Sequence, residues 1–152
     1  MAKKLALNER IGHVRGGWNA VPVEVGKSPA FAALSYSAKA LLFIFYMRLT
    51  SNNNGNLSAA HSQLKHFGWG ARGTLVNALK ELQAVGFIAV TRPSIGVHQG
   101  SKLCQLYRLT DRDSYTFTID GFTIDAKKAS RDYAKITSLK EAEDKIKTAL
   151  KK

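Results

Sequence analysis

Arg72, Thr74 and Asn77 are the side chains in this chain best suited to chemistry, and the chemistry they suit is recognition. A guanidinium offers paired N–H donors that match guanine O6 and N7, and a carboxamide can exchange two hydrogen bonds with adenine N6 and N7. A threonine methyl can rest against a thymine methyl. Lys39, Lys65, Lys80, Arg92, His98 and Lys102 carry positive or protonatable ends that suit phosphate oxygens, which position a protein on a duplex without reading it.

The charge balance points the same way. The 152-residue chain has a formal net charge of +12 and a pI near 10.0. An excess of this size implies an anionic partner, a nucleic acid or an acidic membrane surface. Residues 31–110 hold eight Lys and Arg against a single acid, Glu81; residues 1–30 hold five bases against two acids, and 111–152 ten against eight. The excess therefore lies in the middle of the chain rather than in a tail.

The elements that must position these residues follow from periodicity and capping. Residues 58–67 read as a helix capped by Ser58, followed by the turn Gly68-Trp69-Gly70 and a second helix over 71–85, with Gly70 at its cap. Leu75, Leu79 and Leu82 form the buried stripe of that second helix, and Gly86 stands where a helix-ending glycine is expected. Its outward face is Arg72, Gly73, Thr74, Asn77, Lys80 and Glu81, and Trp69 is expected to fill the core at the turn. Two β-like runs, 87–92 and 104–110, then form a hairpin whose long connection, 93–103, reads as a mobile tip. Helix, turn, helix, hairpin is the order of a winged helix-turn-helix, in which the second helix enters the major groove.

On either side lie less explicit segments. Residues 1–17 read as a flexible basic arm, and 18–25 as a short edge strand with Val21, Val23 and Val25 alternating around Pro22. Ser28-Pro29 opens a helical turn, and Ser35 caps a helix to about Leu49. That helix is apolar nearly all round, so it must be covered by the other helices, the N-terminal segment or a partner subunit. Beyond residue 110, an Asp120-Gly121 turn pairs Ile119 with Phe122 and Phe117 with Ile124. Residues 126–136 read as a polar linker, and Ser138-Leu139-Lys140-Glu141 is a capping box opening a helix to about Leu150. The expected fold is thus α+β: a winged helix-turn-helix domain over 18–110, with a β-hairpin and terminal helix over 111–152 as an accessory or homodimerisation extension.

Other chemistries find little support. Cys104 is the only cysteine, which excludes a disulfide framework and a cysteine zinc cluster and fits a reducing cytoplasm. His61 and His66 do not share a helical face, so no metal pair is expected. Gly68-Trp69-Gly70-Ala71-Arg72-Gly73 matches a dinucleotide fingerprint in letters only, because a helix precedes it and no acid follows at the required distance. Asp113 with Asp125-Ala126-Lys127 has the residue types of a metal-dependent nuclease, a short pattern that also arises by chance. The longest apolar run, 40–47, is far shorter than the roughly 20 residues a membrane span needs. No cofactor, metal or small-molecule ligand is expected.

The string Ser28-Pro29-Ala30-Phe31, Leu34-Ser35, Asn53-Asn54-Gly55, Thr74, Glu81-Leu82, Gly86-Phe87-Ile88 and Tyr107-Arg108-Leu109-Thr110 resembles small winged-helix proteins of prophages and plasmids, akin to replication initiators and repressors. The resemblance covers about half the chain and implies binding of double-stranded DNA. The expected function is a sequence-specific transcriptional regulator, a repressor in type. A replication-initiation or partition protein, and a protein-interaction module or inhibitor that does not bind DNA, are the alternatives.

Overall fold

The computed structural model describes residues 16–98 and 100–152; most of the arm expected over 1–17 lies outside them. The fold is α+β, with six α-helices and small antiparallel sheets among the described residues.

The first element corrects the sequence reading. Residues 18–25 do not form an edge strand: Pro22 is the N-cap of a short helix, α1 (Val23–Lys27), and Val25 is its one buried residue. Alternating valines over so short a span cannot separate a strand from one helical turn, and among the described residues no strand pairs with them. Helix α2 (Pro29–Ala33) follows, capped by the Ser28 hydroxyl, which accepts from the Phe31 amide. Helix α3 (Tyr36–Arg48) is capped in the same way by Ser35. Its buried side holds Ala38, Leu41, Leu42, Ile44, Phe45 and Tyr46.

After α3 comes a two-residue strand, β1 (Leu57–Ser58). Ser58 is thus not the N-cap expected from the sequence. Its hydroxyl accepts from the Ala60 amide, and helix α4 (His61–Leu64) starts three residues later than read, continuing into a 3-10 turn, Lys65–Phe67. Helix α5 (Arg72–Ala84) ends at Val85, and Gly86 takes φ +79, the left-handed conformation expected after a helix.

Strand β2 (Ile88–Arg92) pairs antiparallel with β5 (Leu106–Leu109), which also takes β1 on its other side, giving the order β1-β5-β2. The hairpin read from the sequence is present. Its connection is not a bare loop, however, since β3 (Ile95–His98) and β4 (Ser101–Leu103) pair within it as a second, smaller hairpin. Asn54, read only as a turn residue, locks the base of this sheet. Its amide group donates to the carbonyls of Leu109, Arg112 and Asp113 and its oxygen accepts from the Leu109 amide.

Strands β6 (Phe117–Ile119) and β7 (Phe122–Ile124) pair in the register set by the Asp120-Gly121 turn. The linker reading of 126–136 gives way to an anchored segment, in which a 3-10 turn, Asp132–Lys135, buries Tyr133, and Ile136 is buried after it. The Tyr133 ring stacks on Phe87 at 4.8 Å between centroids. Helix α6 (Leu139–Leu150) packs on α5 and α2 through Ala142 and Ile146, while Leu139 and Leu150 stay exposed. One core joins the whole, centred on Phe45, Leu64, Leu82, Phe87 and Leu109.

Candidate nucleic-acid interface

Helix α5 carries the residues singled out for base reading, and two contacts fix its posture. Glu81 is not on the outward face: it is buried, and its carboxylate accepts from the Ser35 amide at 2.8 Å and the Ser35 hydroxyl at 2.9 Å. An acid of α5 thereby completes the N-terminal cap of α3, where a negative charge meets the positive end of the helix dipole. At the other end, His61 of α4 reaches across the turn, its Nε2 lying 2.7 Å from the Gly70 carbonyl. Between them Gly68 adopts φ +83, and the buried Trp69 seats the turn in the core, as expected. Its indole N–H has no hydrogen-bond partner among the described residues.

At about 100° per residue, Arg72, Gly73, Val76, Asn77 and Lys80 fall on the side of α5 opposite Leu75, Ala78 and Leu82, which are buried. Arg72, Gly73, Val76 and Asn77 are exposed there. Thr74 is exposed as well, but lines a cleft of about 390 Å³ against Ser37, Ala40 and Ile44 of α3. The structure therefore brings Arg72 and Asn77 onto one outer face and turns Thr74 toward α3. Val76 was missed because an apolar residue reads as core; its place four residues after Arg72 and four before Lys80 was the available signal. Lys80 is half-buried beside an open groove between α5 and α6 lined by Gln83, Lys140, Glu141, Asp144 and Lys145.

Among the described residues, no side chain caps the N-terminus of α5. Ala71, not Gly70, is the N-cap residue, and neither can supply one. The amides of the first turn are left to solvent or to an anion.

The remaining cations separate into exposed and engaged groups. Lys65 and Lys102 are exposed. Lys39 lies over the Phe31 and Tyr36 rings, at 5.2 and 5.5 Å from their centroids. His98 is half-buried, its ring 5.3 Å from that of Phe122. Arg92 must be withdrawn from the phosphate set. It is buried, paired with Asp120 at 2.7 Å, and donates to the Cys104 carbonyl at 2.8 Å, so it ties the wing-like hairpin to the β6–β7 turn. Arg108, also buried, donates to Lys128 and Ser130. Arg48 donates to the Ser58 carbonyl and Gln63, and burial lowers its pKa. With Glu81, Arg92 and Arg108 buried, the surface contributed by residues 31–110 keeps six Lys and Arg side chains and no acid.

Of the two carboxylates in the nuclease-like pattern, Asp113 is otherwise engaged. Asp113 accepts from Lys128 at 2.9 Å and from the Ala129 amide at 2.8 Å, and these bonds hold its carboxyl below the usual carboxylate range. Among the described residues, no group of three His, Cys, Asp or Glu side chains could hold a metal ion, and no helix is long and apolar enough to cross a membrane. Comparison with family models, characterised proteins and solved structures finds no match to this chain.

Proposed function

We propose that this chain is a winged helix-turn-helix protein that reads double-stranded DNA and acts as a transcriptional regulator, a repressor in type. The observation that carries the reading is the outer face of α5, where Arg72 and Asn77 stand exposed beside an uncapped helix start, within a segment whose only acid is buried. The element order supports it. Helix α3, strand β1, helices α4 and α5, then the β2–β5 hairpin with sheet order β1-β5-β2 is the layout by which a winged helix presents its second helix to the major groove. In this reading Arg72 and Asn77 contact base edges, Val76 packs against a thymine methyl, and Thr74 acts at the margin. Lys65, Lys80 and Lys102 meet phosphates, with Lys39 and His98 in support. The link to prophage or plasmid genes rests on the sequence resemblance.

The test is selection from a randomised double-stranded DNA pool at two salt concentrations, with Arg72→Ala and Asn77→Ala proteins in parallel. An enriched motif that changes at one base pair in each variant supports sequence reading, with a cost of about 1–3 kcal/mol per lost bidentate contact. Binding without enrichment would leave a nonspecific DNA binder, and no binding would overturn the reading.

A further inference from the structure

The surfaces expected to carry self-association are largely used within the chain. Ile124 of the β6–β7 hairpin is buried, Phe117, Ile119 and Phe122 are half-buried, and α6 lies on α5 and α2. A different apolar surface stays open. Along α3, Tyr36, Ala40, Phe43 and Met47 all face solvent, with Tyr36 89%, Phe43 58% and Met47 43% exposed. Trp18 and Val21, each 44% exposed, border Phe43 and Met47 across a shared cleft of about 410 Å³. Asn19 holds that N-terminal segment in place by donating to the Met47 and Leu49 carbonyls.

The spacing of the stripe suits a helical partner. Positions 36, 40, 43 and 47 step by four, three and four, so they fall within roughly 60° of helix circumference and repeat as a coiled-coil seam does. A seam of this kind is built to meet another helix. It is also symmetric about its midpoint, so an antiparallel two-fold pairing sets Ala40 against Phe43 of a second copy while Tyr36 meets Met47. Small meets large near the axis, and a thioether meets an aromatic ring at each end, a contact worth about 0.3–1.5 kcal/mol. No charged residue lies in the stripe itself, although Lys39 lies over the Tyr36 ring at its N-terminal end. Arg48, just beyond it, is turned to Ser58 and Gln63.

We infer that α3, with Trp18 and Val21 at its edge, is the self-association surface of this protein, and that it forms a two-fold dimer through an antiparallel α3 pair. The five large side chains expose on the order of 500 Å² of mostly apolar surface, using about 150–250 Å² for each aromatic. That matches the largest apolar patch of a typical monomer, about 300–600 Å², a patch that is often functional. It would form the centre of an interface of about 800 Å² per partner, with polar neighbours as the rim. A two-fold axis here relates two copies of α5, the symmetry a palindromic site would require.

The test is sedimentation equilibrium of the full chain without DNA, from about 1 to 100 μM, so its failure leaves the DNA reading untouched. The wild type is expected to dimerise, Phe43→Lys to weaken the dimer at least tenfold with unchanged circular dichroism, and Leu150→Lys on α6 to leave it intact. Because position 40 faces position 43, mixing Ala40→Glu with Phe43→Lys protein should restore a heterodimer that neither forms alone. A wild type that stays monomeric overturns the inference, including the case where residues 1–15 of the same chain cover the seam. So does a dimer indifferent to Phe43→Lys. If Phe43→Lys fails to fold, Phe43→Ser provides the same comparison.

Discussion

Replacing Glu81 tests the contact that sets α5 against α3. The carboxylate accepts two hydrogen bonds from Ser35, at 2.8 Å from the amide and 2.9 Å from the hydroxyl, and is itself buried. Hydrogen bonds to a charged group are worth about 1.5–3 kcal/mol each, and a carboxylate at a helix N-terminus adds about 0.3–1 kcal/mol. Ser35 is exposed, so water can reach its freed amide, which places Glu81→Ala near the lower end, at about 3 kcal/mol. Glu81→Gln keeps the shape and one acceptor but loses the other and the charge, and should cost about 2 kcal/mol. In urea unfolding, Glu81→Ala is expected to lower the midpoint without changing its slope, and in thermal unfolding to lower Tm by about 6–12 °C for a chain of this size. Combined with Ser35→Ala, which also removes the hydroxyl cap on the Ala38 amide, the double variant should lose about 1–2 kcal/mol less than the two single losses together. A loss below 1 kcal/mol for Glu81→Ala, or strict additivity with Ser35→Ala, would refute the claim that this pair anchors α5.

A Cβ built on Gly86 would lie 2.6 Å from the Asp132 Cβ and 2.9 Å from the backbone of Asp132 and Tyr133, at φ +79. Gly86→Ala should therefore destabilise by about 2–4 kcal/mol in urea unfolding, combining backbone strain with overpacking. Burial raises the pKa of Tyr107 and of Tyr133 to about 12, so the unfolded chain gives up these protons first. Their contribution is whole below pH 10 and is lost as the pH climbs to about 12, on the order of 2–3 kcal/mol for each. Tyr107→Phe and Tyr133→Phe should each flatten that alkaline fall in a pH series of urea midpoints. Arg92→Ala should cost about 1–2 kcal/mol of stability by removing a buried side chain and its hydrogen bonds to the exposed Asp120 and Cys104, yet leave the salt slope of DNA binding unchanged. Lys102→Ala should do the reverse, reducing that slope by about one with stability intact, as filter binding across a salt series would report.

The parts that the sequence conveyed are those written in local signals. Ser28, Ser35 and Ser138 cap their helices as their positions imply, and Gly86 ends α5. The Asp120-Gly121 turn fixes its strand register, Phe117 with Ile124 and Ile119 with Phe122. Contacts between distant segments were invisible. Glu81 reads as a surface acid because nothing nearby in sequence reveals Ser35, and Arg92 reads as a wing cation because Asp120 lies on another hairpin. The glycines of 93–103 read as a loop, and within it a small hairpin forms with Gly100 at φ +82 in its turn. The strand expected over 18–25 fails for a related reason. Three alternating valines describe a pattern, but a strand also needs a neighbour, and Pro22 with Glu24 in the first turn suits the start of a helix.

The candidate interface owes its sign to what the fold hides as much as to what it displays. Burying Glu81 removes the one acid from the middle segment, and the cost of burying it is offset by work it does for α3. Burying Arg92 and Arg108 removes two cations whose partners belong to the C-terminal region, so residues 111–152 brace the central sheet rather than standing apart from it. On the other flank, Glu141 and Asp144 of α6 share a groove with Lys80, which weakens the positive field over the C-terminal half of α5. Interactions between exposed charges fade over about 8 Å at physiological salt, so these acids leave the opposite end of the helix little affected. On the proposed reading, base selection then falls to the first two turns of α5, where Arg72, Val76 and Asn77 stand beside uncapped amides. Selected sites should accordingly show a short core per subunit, and two such cores in inverted repeat if α3 pairs as inferred.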